Sequence, residues 1–71
     1  MTAGTTLGAD LRALRKSRNL TLEQLAERLD VSVGWLSQVE RDISRADTGT
    51  LKSMARIFEV PMSLFFGVAT A

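Results

Sequence analysis

An all-α fold, a compact bundle of five short helices, is predicted by three observations. Apolar residues recur at helical spacing in four separate segments, and a capping residue stands just before each. Strand signals are missing, since no apolar/polar alternation runs long enough to pair and β-branched residues are scattered. The length of 71 residues suits one small domain whose stability comes from packing amphipathic helices. With no cysteine and no histidine, disulfides and the usual zinc ligand sets are excluded.

Taken in order, residues 1–5 are small and polar and are expected to form a flexible N-terminal arm. A single domain is expected over residues 6–67, with 68–71 as a tail. Thr6 is placed to cap a first helix whose buried stripe is Leu7, Leu11 and Leu14. Arg12, Arg15, Lys16 and Arg18 load its C-terminal half, where positive charge suits the helix dipole. Asn19 is a candidate left-handed C-cap.

Two short helices follow, expected at Leu22–Leu29 and Val33–Glu40. Thr21 and Gln24 make a T-x-x-Q capping box, with Leu20 and Leu25 placed as a hydrophobic staple. Asp30 breaks the first of these runs. Ser32 caps the second, with Val31 and Leu36 as its staple. So few residues separate the two that they must cross steeply, as in a helix-turn-helix. Residues 41–46 lack apolar periodicity and read as a loop. Asp47 or Thr48 caps a fourth helix with the stripe Leu51, Met54, Ala55 and Phe58. Pro61 suits the first position of a short fifth helix ending near Phe66, with Gly67 as its stop. So short a helix cannot by itself bury both Phe65 and Phe66. One ring is expected beside Leu51 and Phe58, and the other is left for a partner, unless both fold inward.

Composition narrows the function. No apolar run approaches the ~20 residues of a membrane span. The N-terminus lacks the basic-then-apolar pattern of a secretion signal, so a cytoplasmic location is expected. With neither histidine nor cysteine, no phosphate loop and little room for a cleft, an enzyme is not expected, nor any cofactor or metal. The net charge is only +1, so a nucleic-acid binder would need its charges arranged unevenly.

Five phrases then point to a family: L-G-x-x-L-R-x-L-R-K from Leu7, L-T-L-E-Q-L-A from Leu20, V-S-V-G-W-L-S-Q-V-E-R from Val31, T-L-x-x-M-A from Thr50 and V-P-M-S-L-F-F from Val60. In this order and spacing the chain resembles the Cro/C1-type (XRE) helix-turn-helix repressors across about residues 7–66. The third and fifth phrases are most similar to the DNA-binding domains of regulators with a C-terminal cupin sensor. No cupin sequence lies within these residues, so a C-terminal sensor domain beyond them is one expectation and an isolated domain the other. The sequence departs from the family pattern at Asp30, where glycine is usual, and at Leu22, where a phosphate-reaching glutamine is frequent. It departs again at Asp42, Ala46 and Asp47, where E-R-G and Pro-Ser are usual.

The resemblance implies a lambda-repressor-like DNA-binding fold and a transcriptional regulator, a repressor, binding double-stranded DNA as a homodimer. The helix Val33–Glu40 would read the major groove. With Leu36 and Val39 turned inward, Val33, Gly34, Ser37 and Gln38 face outward as base contacts, and Gln38 suits adenine best. Phosphate contacts are expected from Thr21, Trp35, Arg41, Ser44 and Arg45, although packing is the stronger expectation for Trp35. Lys16, Arg18, Arg28, Lys52 and Arg56 are expected as solvated charges. The resemblance also implies a structural ion pair between Arg15 and Glu40. The alternative reading is a helical protein-interaction module that keeps the fold without binding DNA.

Overall fold

The computed structural model describes residues 6–66. The expected arm, the Gly67 stop and the tail lie outside the described residues. Five helices follow one another: α1 Leu7–Ser17, α2 Leu22–Leu29, α3 Val33–Glu40, α4 Thr48–Phe58 and α5 Ser63–Phe66. There is no strand among the described residues, and no described helix is long and apolar enough to cross a membrane.

Local chemistry sets the helix boundaries. The Thr6 hydroxyl accepts from Ala9 N at 3.1 Å and starts α1. At α2 the capping box is complete: Thr21 Oγ1 accepts from Gln24 N at 3.0 Å, and Gln24 Oε1 accepts from Thr21 N at 2.8 Å. The Ser32 hydroxyl accepts from Trp35 N at 3.1 Å and starts α3. Of the two candidate caps for α4, Asp47 takes the role and accepts from Thr50 N at 2.9 Å. Hydrogen bonds from Thr50 hold the Asp47 carboxyl below the usual carboxylate range. Asn19, Asp30, Asp42 and Glu59 all adopt positive φ, between 57° and 63°. Asp30 therefore makes the left-handed turn between α2 and α3 without a glycine.

The core is built from Leu11, Leu14, Leu25, Ala26, Leu36, Val39, Leu51, Met54, Ala55 and Phe58. Both staple residues, Leu20 and Val31, pack against it, as do Leu22, Trp35 and Phe65. Beneath this apolar centre lies a buried ion pair. Arg15 Nε and Nη2 donate to the two Glu40 carboxylate oxygens at 2.7 and 3.1 Å, and Arg15 Nη1 donates to Leu20 O at 2.9 Å. One guanidinium thus ties α1 to the end of α3 and to the entrance of α2.

A second tie joins the same helices at the other end of α1. A Cβ on Gly8 would stand 2.5 Å from the Val39 carbonyl oxygen, so only glycine permits this approach. Asp42, on its left-handed backbone, accepts from Gly8 N at 3.0 Å and from the Thr6 hydroxyl. The aspartate in E-R-D thus both makes the turn and caps α1 across the fold.

Two sequence expectations are corrected. The fifth helix begins at Ser63, two residues beyond the expected Pro61. The amides of Leu64 and Phe65 bond the carbonyls of Pro61 and Met62, three residues back, so the approach is a tight turn. Arg18 is not simply solvated: its Nε and Nη2 donate to the Phe58 carbonyl at 3.0 and 2.6 Å, satisfying an orphan acceptor at the C-terminus of α4.

Glu40→Ala leaves the Arg15 charge buried and unpaired. It should cost about 3–5 kcal/mol in urea unfolding, a large part of the stability of a domain this size. Replacing both partners by apolar residues of similar volume should recover most of that loss. The two aspartates in left-handed turns should respond oppositely to glycine. Asp30→Gly should raise the thermal midpoint by relieving backbone strain, and Asp42→Gly should lower it by releasing Gly8 N and Thr6. Equal shifts for the two would refute the capping role of Asp42.

Candidate nucleic-acid interface

Helix α3 has two faces with different surroundings. Leu36 is fully buried and Val39 is 3% exposed, and Glu40 sits beside them in its ion pair. Val33, Gly34 and Gln38 are exposed, Ser37 is half-buried and Arg41 is exposed at the helix end. At 3.6 residues per turn, the five span an arc of roughly 140° on one side of the helix. Nothing lies within 4 Å of where a Gly34 Cβ would stand, so the arc is open there. Trp35 borders it and packs half-buried against the core.

The side chains on this arc are chemically varied. Gln38 Oε1 accepts from the Ser44 hydroxyl at 2.9 Å, a bond that uses neither of the Nε2 hydrogens. Arg41 Nε donates back to Ser37 O at 3.4 Å, a long bond that yields readily to an anion. Arg45 is exposed and Ser44 half-buried in the loop beyond. The capping box uses a Thr21 lone pair and the Thr21 N–H, so the hydroxyl proton remains available for donation. The first N–H groups of α2, at Leu22 and Glu23, have no partner within the helix by construction.

One cation escaped the sequence reading. A concavity beside α3 is lined by Arg12, Arg15, Leu22, Ser37, Glu40 and Arg41. With Arg15 neutralised by Glu40, Arg12 and Arg41 are its two uncompensated charges. The signal lay in spacing: Arg12 is one helical turn before Arg15, so a residue that grips α3 carries its i−3 neighbour along the same face. The sequence placed Arg12 only among the charges favouring the α1 dipole. Leu22, in the family's glutamine position, is half-buried against the core and presents no polar group of its own here.

Comparisons with known proteins agree on the architecture. The Helix-turn-helix family model matches residues 11–65. The immunity repressor protein of Bacillus phage phi105 is 35% identical over 65 residues, 92% of this chain and 45% of that protein. The transcriptional regulator SutR of Escherichia coli is 39% identical over 59 residues, 83% of this chain and 33% of that protein. The chain thus spans less than half the length of these curated relatives. Among solved structures, the biofilm regulator SinR in complex with DNA superposes with a TM-score of 0.78 at 22% identity, covering 86% of this chain and 98% of that one. A helix-turn-helix family transcriptional regulator from Vibrio cholerae gives 0.73 at 38% identity, over 86% of this chain and 34% of that one.

Proposed function

Because the chain belongs to the helix-turn-helix family, we propose that it is a sequence-specific double-stranded DNA-binding domain of a transcriptional repressor. The observation that carries this reading is the bare arc of α3. Val33, Gly34 and Gln38 are exposed and Ser37 is half-buried beside them, while Leu36 and Val39 are locked in the core. Such a helix fits a major groove with its outward residues against base edges. Gln38 pairs with adenine, Ser37 donates or accepts, the Val33 methyls meet a thymine methyl, and Gly34 lets the backbone approach closely.

Phosphates flank the groove and are met by Arg41 and Arg45 beyond α3, by Arg12 across the concavity, and by the Thr21 hydroxyl at the start of α2. The Trp35 indole N–H offers one further donor at the border of the arc. These contacts supply affinity that falls steeply with salt. A single module of this size covers too little DNA to specify one site, so two copies bind a two-fold related operator. The relatives include a phage immunity repressor, which supports repression as the outcome.

Gln38→Ala should relax base preference, whereas Arg45→Ala should weaken binding to every sequence about equally and reduce the salt slope by about one. Fluorescence titrations of selected and random duplexes across a salt series separate the two effects. No binding to any duplex at low salt would refute the reading and favour the protein-interaction module. Gly34 offers an independent check. Gly34→Ala should stabilise the free chain by about 0.5–1 kcal/mol, because helical glycine is unfavourable and the added methyl meets nothing. The same methyl should weaken binding to DNA. A variant both more stable and equally tight on its operator would remove Gly34 from the contact surface.

A further inference from the structure

We propose that Ser44 is a positioning residue for Gln38, fixing the amide that reads the base, and is not a phosphate contact. The inference rests on the base-reading role of Gln38 above. Three hydrogen bonds from the loop converge on that one residue. Ile43 N and Ser44 N donate to the Gln38 backbone carbonyl at 2.8 and 3.2 Å, and the Ser44 hydroxyl donates to Gln38 Oε1 at 2.9 Å. The two amide bonds hold the loop against the end of α3. Its serine side chain therefore returns to the glutamine whose backbone anchors it.

The chemistry of this contact suits adenine. A carboxamide oxygen has two lone pairs, so Oε1 can take the Ser44 proton and still accept from adenine N6. Nε2 keeps both hydrogens, one of which can reach adenine N7. The serine thus consumes nothing that the bidentate pair needs. A free glutamine must give up rotamer freedom on binding, and a glutamine already held in place gives up less. Guanine presents two acceptors, N7 and O6, on the same edge. An amide held with its oxygen beside O6 meets it with repulsion, so the Ser44 bond sharpens the choice of adenine over guanine. The hydroxyl proton spent on Gln38 is also unavailable to a phosphate.

Two measurements on the full chain test this. In the free protein, the NMR order parameter of the Gln38 side-chain amide should fall in Ser44→Ala and be retained in Ser44→Thr. On DNA, Ser44→Ala should reduce the preference for adenine over guanine at the Gln38 base pair by about 2- to 10-fold. It should leave random-duplex affinity and the salt slope unchanged. Combining Gln38→Ala with Ser44→Ala should be no worse than Gln38→Ala alone, since the serine acts only through the glutamine. A uniform loss on all sequences with a slope reduced by about one would make Ser44 a phosphate contact and overturn the proposal. An amide already mobile in the parent chain, or additive losses in the double variant, would also overturn it. If the amide is ordered but Gln38→Ala leaves base preference unchanged, the base-reading assignment fails. It then takes the specificity role of Ser44 with it, and the hydrogen bond itself remains.

Discussion

The guanidinium of Arg15, buried against the carboxylate of Glu40, is the constraint around which this small domain is arranged. Apolar packing alone is non-directional, and leucines on two helices tolerate sliding and rotation. A bidentate arginine–carboxylate pair does not, because two parallel bonds at 2.7 and 3.1 Å fix both distance and plane. The third bond, to Leu20 O, brings the start of α2 into the same register. In stability terms such a pair is close to neutral against an apolar replacement. Its effect here is on geometry: it sets the rotation of α3 about its own axis, and so which residues that helix presents.

The opposite end of α1 repeats the strategy with different groups. Gly8 allows the first turn of α1 to press on the Val39 carbonyl, and the Asp42 carboxylate satisfies the donors left open there. α3 is therefore held near its C-terminus by an ion pair on one side and by a backbone approach on the other. The loop after α3 leaves this junction already oriented, because Asp42 must face α1 and residues 43 and 44 must turn back onto Gln38. Arg41 and Arg45 are carried on either side of that anchored segment.

Local chemistry was legible in the residues themselves, whereas the long-range Arg15–Glu40 pair was expected through the family resemblance and the other ties across the fold were not. The spans of α2 and α3 follow from Thr21, Gln24, Ser32 and the apolar spacing, since a cap and a stripe are decided within one or two turns. The left-handed turns at Asn19 and Asp30 follow from the tolerance of those residue types. Pro61 misled because its fixed φ suits a tight turn as well as a first helical position, and only the bonding three residues apart distinguishes them. Arg18 was expected as a solvated charge, Asp42 only as a departure from the family pattern and Ser44 as a phosphate contact, and none of the three was given its partner within the fold. The partners of Arg18 and Asp42, Phe58 and Gly8, lie 40 and 34 positions away, beyond any local pattern, and Ser44 meets Gln38, 6 positions back, only because the loop turns onto the helix end. The Arg12 concavity is a milder case, since the one-turn spacing from Arg15 held the information once Arg15 was known to face α3.

An eight-residue helix such as α3 would not persist in water by itself, because so few hydrogen bonds do not recover the cost of nucleation. Its conformation is owed to the frame, and its outer face carries a glycine that lowers helix propensity further. Presentation and stability are thus coupled: whatever loosens the Arg15–Glu40 junction also blurs the position of Gln38. A short helix held in this way needs little stability of its own. Its outward residues are free to be chosen for what they touch, because the inward ones, Leu36, Val39 and Glu40, hold the helix in place.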